Sequence, residues 1–216
     1  MININFQKKL EKILQPKMEK YFFTNDAKKL LSGKESGHIM GTIIEEMCGD
    51  ILKENGYTIT KEVNKLGEAK ARAHSDFNIV ANDGSVNRVN VKFSSETNGQ
   101  PNVCSINRMM DALRDGVIDG YYMLKVKYDR TTNKTKVYFV DILDYIDCLT
   151  FNGGTGQIML KEKDFYIDYE SDKALNDLSI IKKRKLIYDM YDKKLDEHIK
   201  LKTKQRMKRK TESFLF

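Results

Sequence analysis

The chain has 216 residues, room for one large domain, and its 40% hydrophobic and 10% aromatic content is enough for a core, which excludes a globally disordered chain. No apolar run approaches membrane-spanning length, and the stretch MININFQKKLEKIL lacks the apolar segment of a signal peptide, so the sequence predicts a soluble cytoplasmic protein with no membrane partner. The formal net charge is +7, yet residues 182–210 alone carry 13 basic and 4 acidic side chains, which leaves the remainder near −2. That segment is either a polyanion-binding surface or a solvated, lysine-rich helix. Cys48, Cys104 and Cys148 have no metal-ligand spacing and read as reduced thiols.

Over residues 3–22, Phe6, Leu10, Ile13, Leu14, Met18 and Tyr21 recur at helical spacing, with Pro16 expected to break or kink the helix. Thr24 or Asn25 can cap a second short helix through Ala27, Leu30 and Leu31, ending near Gly33. Residues 36–55 predict the clearest helix, with Met40, Ile44, Met47, Cys48 and Ile51 on one apolar arc and Asn55-Gly56 as its stop. At about 100° per residue, Glu45 falls at the margin of that arc and Glu46 points to water. Tyr57–Val63 reads as a first strand, and residues 64–73 as a polar, basic loop.

The stretch SDFNIVANDGSVNRVNVKFSS, residues 75–95, organises the middle of the chain. Two alternating runs flank Asn82-Asp83-Gly84-Ser85, which is hairpin-turn chemistry. In the second run Val89, Val91 and Phe93 share one face, and Arg88, Asn90, Lys92 and Ser94 the other. Asn90 and Lys92 thus stand about 7 Å apart on one face. A lysine alternating with valines in a central strand is costly unless it meets an anion or a carboxylate, and Asp76 is placed to meet that pair across the hairpin.

Next comes an amide-rich loop, in which Asn98-Gly99-Gln100-Pro101-Asn102 is turn chemistry. Ser105 can cap a helix through Met109, Leu113 and Gly116. Tyr121–Tyr128 and Lys136–Ile142 read as two strands joined by a turn at Asp129–Asn133. Phe151–Leu160 contains a glycine-rich turn between strands, without the lysine-serine pair of a nucleotide-binding loop. Leu178–Leu201 predicts a helix with Leu178, Ile181, Tyr188, Leu195 and Ile199 on one face, followed by a frayed tail, KLKTKQRMKRK.

Asp76, thirteen intervening residues and then Asn90-Val91-Lys92, set in the order helix, strand, hairpin, helix, strand, resembles the PD-(D/E)XK nuclease superfamily, which includes most type II restriction endonucleases. The resemblance spans residues 37–141. Ser75 stands where the name has proline, and Asn90 where it has Asp or Glu. An amide still coordinates through its oxygen but gives up one charge of attraction. The resemblance implies an α/β fold with a restriction-endonuclease-like core, an α-β-β-β-α-β mixed sheet flanked by helices. That core would occupy 36–145 of one nuclease domain, with an N-terminal helical segment at 1–35 and a C-terminal extension at 146–216.

It further implies a Mg²⁺-dependent, sequence-specific endonuclease of double-stranded DNA, as in restriction-modification, with Mn²⁺ as a possible substitute and a homodimer to cut both strands. Asp76, the Asn90 side-chain oxygen and the Val91 carbonyl would hold the metal, and Lys92 would stabilise charge at the scissile phosphate. Glu45 lies eleven residues ahead of Gly56-Tyr57, the family's spacing for a glutamate that binds a second metal or orients water. Glu96 offers a carboxylate from an altered position. Arg72, His74, Ser94, Asn98, Gln100, Asn102, Asn107 and Arg108 are candidate DNA contacts, set against the bland reading of a polar loop and a surface histidine. Two alternatives stay open: a structure-selective nuclease, such as a junction resolvase or a phage recombination nuclease, and a catalytically inactive DNA-binding relative.

Overall fold

Alternation of VNRVNVKFS becomes a real two-faced strand at the middle of a sheet. The computed structural model describes residues 4–32, 36–61, 75–80, 84, 86–95, 100–107, 109–110, 121–152, 154–174 and 178–213. In chain order the elements are helices α1 (Ile4–Phe22), α2 (Asn25–Ser32) and α3 (Ser36–Glu54), then strands β1 (Thr58–Thr60), β2 (Phe77–Val80), β3 (Val86–Ser94) and β4 (Asn102–Ser105). After β4 the chain turns helical at residues 106–107 and 109–110. There follow β5 (Tyr122–Asp129), β6 (Lys134–Asp141), a 3-10 helix (Ile142–Cys148), β7 (Leu149–Asn152), β8 (Gln157–Leu160), α4 (Glu162–Glu170) and α5 (Ile180–Ser213).

The main sheet has the order β1-β2-β3-β5-β6, and β4-β8-β7 form a smaller antiparallel one. The β1–β2–β3 pairings and β5–β6 are antiparallel, whereas β3 and β5 run parallel, with Asn90 beside Met123 and Lys92 beside Lys125. The fold is therefore α/β, a mixed sheet flanked by helices. Val89, Val91, Tyr122, Leu124 and Val126 face α1, α2 and α3 in one core, and Met123, Tyr138 and Val140 join a second core on the opposite face. The predicted hairpins form. Gly84 takes φ +80, and in the β5–β6 turn the Asp129 carboxylate accepts from the N–H groups of Thr131 and Thr132. Thr24 is the cap of α2, its hydroxyl accepting from Ala27 N–H at 3.3 Å.

Four expectations are corrected. Pro16 does not break α1, which runs on to Phe22. Leu10, Leu14 and Met18 are fully buried, and the Glu11 and Gln15 carboxyl and amide oxygens accept the N–H groups of Phe139 and Val137 at 2.8 Å. Gln15 also donates to Thr135 O at 2.7 Å. The helix thereby covers the free backbone of edge strand β6, and those contacts offset the roughly 3 kcal/mol a helix-interior proline costs.

Asn102 is not a turn residue but opens β4, because β8 offers it an edge, with Asn102 beside Met159 and Val103 buried. The tail after Leu201 continues as helix to Ser213 rather than fraying. The expected apolar face of that helix is not the one that docks. Lys183 reaches Asp144, which turns the row Lys183–Ile187–Tyr191 inward and leaves Ile181, Tyr188 and Ile199 exposed. Helix α4 is an addition to the expected elements: its charged residues give little apolar periodicity, and Glu162, Phe165 and Tyr166 are its buried contribution.

Candidate active site at the open end of the β2–β3 hairpin

Asp76 sits one residue before β2. Its N–H donates to Val89 O at 3.0 Å, and its Oδ2 accepts the N–H of Val91 at 2.6 Å. A side chain has thus taken a place in the ladder where the second strand has not yet begun. The N–H and C=O of one strand residue point to the same side, so the Val91 carbonyl leaves β3 towards Asp76 as well. The β2–β3 register begins at Phe77–Val89, and the Asp76 N–H also goes to Val89 O, so Asp76 lies against Val89 and, through its side chain, against Val91. Sequence reasoning places the acid across the hairpin from Asn90 and Lys92, and the contact that forms is to the backbone of Val91 between them.

Glu45 comes to the same end from α3. It is half-buried at the edge of the helix's apolar arc, while Glu46 is exposed. Burial raises the Glu45 pKa first, and the negative charge of Asp76 raises it further; the Lys61 ion pair at 3.2 Å opposes both. The two carboxylates are therefore within electrostatic reach of each other. An open groove of about 240 Å³ between α3, β1 and β2, lined by Glu45, Glu46, Asp50, Lys53 and Lys61, gives water and ions access to Glu45.

Asn90 is buried on the face away from α3, where the Tyr121 hydroxyl lies in hydrogen-bond contact with its amide and with the Cys104 sulfur. Burial raises the Tyr121 pKa well above its ordinary value, and Cys104 and Asp76 add to that. Lys92 stands two residues along β3 on that face, half-buried, next to Lys125. Lys125 is wholly buried and ion-paired with Glu162, also wholly buried, at the start of α4. Burial lowers the Lys125 pKa, Glu162 opposes that, and the charge of Lys92 lowers it again. Ser94 lies against the Tyr166 hydroxyl.

Among the remaining candidates, Gln100, Asn102 and Asn107 are exposed at and around β4. Arg72, His74, Glu96, Asn98 and Arg108 lie outside the described residues. Three residues of this face escape sequence reasoning: Tyr121, Lys125 and Glu162. Lys125 carries a signal, since in YYMLKVKY it is a lysine inside an apolar central strand, the very feature that singles out Lys92. Glu162 has none, its partner being 37 residues away.

Among the described residues, no three His, Cys, Asp or Glu side chains gather to hold a metal. No helix there is long and apolar enough to cross a membrane. No family model matches the chain, and no curated protein matches it in sequence.

Proposed function

We propose that the protein is a Mg²⁺-dependent endonuclease of double-stranded DNA, a PD-(D/E)XK-type enzyme resembling type II restriction endonucleases. The observation that carries this reading is the Asp76 carboxylate fixed on the Val91 N–H, one residue before Lys92 in β3. The donor set suits the ion. Asp76, Glu45 and the Val91 carbonyl offer only hard oxygens, and Mg²⁺ is commonly bound by one or two carboxylates with substrate phosphate and water completing the shell.

Asp76 and the Val91 carbonyl would hold the ion, with Glu45 beside them. Bound there, Mg²⁺ supplies a lowered water pKa and polarisation of the phosphoryl group. The Val91 N–H keeps the Asp76 carboxylate oriented. The Glu45–Lys61 pair is half in solvent and of the kind that contributes about 0–1 kcal/mol, so it yields readily to a divalent ion. Lys92 stabilises negative charge developing on the scissile phosphate. Cutting both strands calls for two such margins, which a two-fold dimer supplies.

The test is plasmid DNA with Mg²⁺ or chelator. Fragments that form only with Mg²⁺, and that disappear in Asp76→Asn and Lys92→Ala, support the reading; intact DNA across a broad panel of substrates overturns it. Asp76→Asn keeps an acceptor for Val91 N–H and removes the charge, so its loss of cleavage reports on chemistry rather than folding. A preference for branched over linear duplexes would move the substrate towards a structure-selective nuclease. One observation favours an inactive relative: the Asn90 amide is buried and engaged with Tyr121. Under that reading, cleavage would appear only in Asn90→Asp.

A further inference from the structure

Helix α5 is 34 residues long, about 51 Å at the usual rise, and only its first half belongs to the body. Ile187 is fully buried, Lys183 pairs with Asp144, and Tyr191 packs edge-on against Phe151 at 5.6 Å. Towards its far end the helix still touches the body at His198, whose ring lies beside Gly154 in the β7–β8 turn. Every residue from Ile199 to Met207 is exposed.

The two halves differ in their charges. Before His198 the helix mixes signs, with Asp189, Asp192, Asp196 and Glu197 among its lysines and a Lys194–Glu197 pair at 2.7 Å. Residues 199–211 hold Lys200, Lys202, Lys204, Arg206, Lys208, Arg209 and Lys210 and no acid. Their charge equals the +7 of the whole chain, so the rest balances to zero. A helix that merely solvates itself gains from opposite charges three or four residues apart, whereas the series 200-204-208 and 202-206-210 repels itself. With Ile199 to Met207 all exposed, packing does little to offset that repulsion, and a bound polyanion would relieve it.

We propose that residues 199–210 of α5 form an arm that grips the phosphate backbone of duplex nucleic acid outside the catalytic margin. An anionic lipid surface is the lesser fit. Ile199 and Met207 fall about 80° apart but about two turns distant along the axis, and Leu201 lies on the other side of the helix, so no continuous apolar face exists to enter a bilayer. Lys200 with Lys204 and Lys202 with Arg206 flank opposite sides of the helix. The arm stands on its own observation and adds a partner surface to the proposed nuclease.

The experiment measures anisotropy of a fluorescent duplex of about 30 base pairs without divalent ions, over a salt series, for the full chain and for Lys200→Gln/Lys202→Gln/Lys204→Gln/Arg206→Gln. All four side chains are exposed, and thermal unfolding checks that the fold is kept. We expect affinity at about 0.1 M salt to fall about tenfold or more. The slope of log K against log salt should shrink by about 2–4, since each neutralised phosphate contributes about 0.9 to it. Unchanged affinity and slope overturn the arm, even if Mg²⁺-dependent cleavage is found. Binding of vesicles containing phosphatidylserine in preference to the duplex overturns it in favour of a membrane. Arm-dependent duplex binding without any cleavage keeps the arm and removes the nuclease.

Discussion

The two faces of the central sheet come from alternate residues of the same strands, and they are closed in opposite ways. Towards α1, α2 and α3 the strands present Val89, Val91, Phe93, Leu124 and Val126, and Phe22 stacks on Tyr128 at 4.7 Å and on Phe93 at 5.7 Å. On the other face Asn90, Lys92, Lys125 and Lys127 meet Tyr121, Glu162 and the ring of Tyr166, over which Lys127 sits at 4.0 Å. The first face depends on volume, which many apolar residues could fill. The second has an apolar core of its own, at Met123, Tyr138 and Val140, but the buried Lys125 beside it is tolerated only with its counter-charge in place. Period-two alternation thus keeps the buried charge of these strands to one side.

The difference can be broken most severely at the buried ion pair. Glu162→Gln strands the Lys125 ammonium in a site with no exposure, and we expect a loss of about 3–5 kcal/mol in urea unfolding. Replacing both partners, Lys125→Met with Glu162→Leu, should recover most of that stability, since no charge then remains to bury. If the double variant is no better than the single one, the pair is not what closes this face.

On the opposite face the same logic should fail. Leu124→Ala, at a fully buried position beside Val91, should cost about 2–4 kcal/mol through reduced apolar burial and a residual cavity. Removing a charge elsewhere cannot rescue it, and the cost should be the same at about pH 5 and pH 8. A pH-dependent loss there would show that the two faces are coupled through β5.

The legibility of the fold in its sequence follows the same division. The helix-facing alternation of β3, the arc of α3 and the marginal place of Glu45 are visible because burial on one side imposes a period. The approach of Asp76 to β3 at Val91 is visible because two alternating runs flanking one turn bring their outer ends together. The closure of the polar face is not, because Glu162 on α4 and Cys104 on β4 reach it from other elements and leave no local pattern. The docking face of α5 eludes the periodicity for the same reason: the partners of Lys183 and Tyr191, Asp144 and Phe151, lie far back in the chain.

A smaller and subtler effect lies at Asp141, the last residue of β6. Its Oδ1 accepts both Tyr121 N–H at 3.1 Å and Leu143 N–H at 3.0 Å, tying the start of β5 to the 3-10 helix. Burial first, and then the neighbouring Asp144, push its pKa up to about 7, while those two N–H groups and Lys183 pull it down. A pKa raised in the folded state means that the folded chain keeps a proton the unfolded chain has already lost. The stabilisation is complete below the ordinary carboxyl pKa of 3.8 and is lost as pH rises through about 7. Asp141→Asn keeps the accepting oxygen and cannot titrate. Its stability should match the parent near pH 4 and exceed it at about pH 8, by something on the order of 1–3 kcal/mol. Asp141→Ala, which orphans two buried N–H groups, should instead lose about 2 kcal/mol or more at both pH values. Unfolding curves for the three proteins at about pH 4, 6 and 8 decide it, and parallel profiles for parent and Asp141→Asn would show that the carboxyl is ionised throughout.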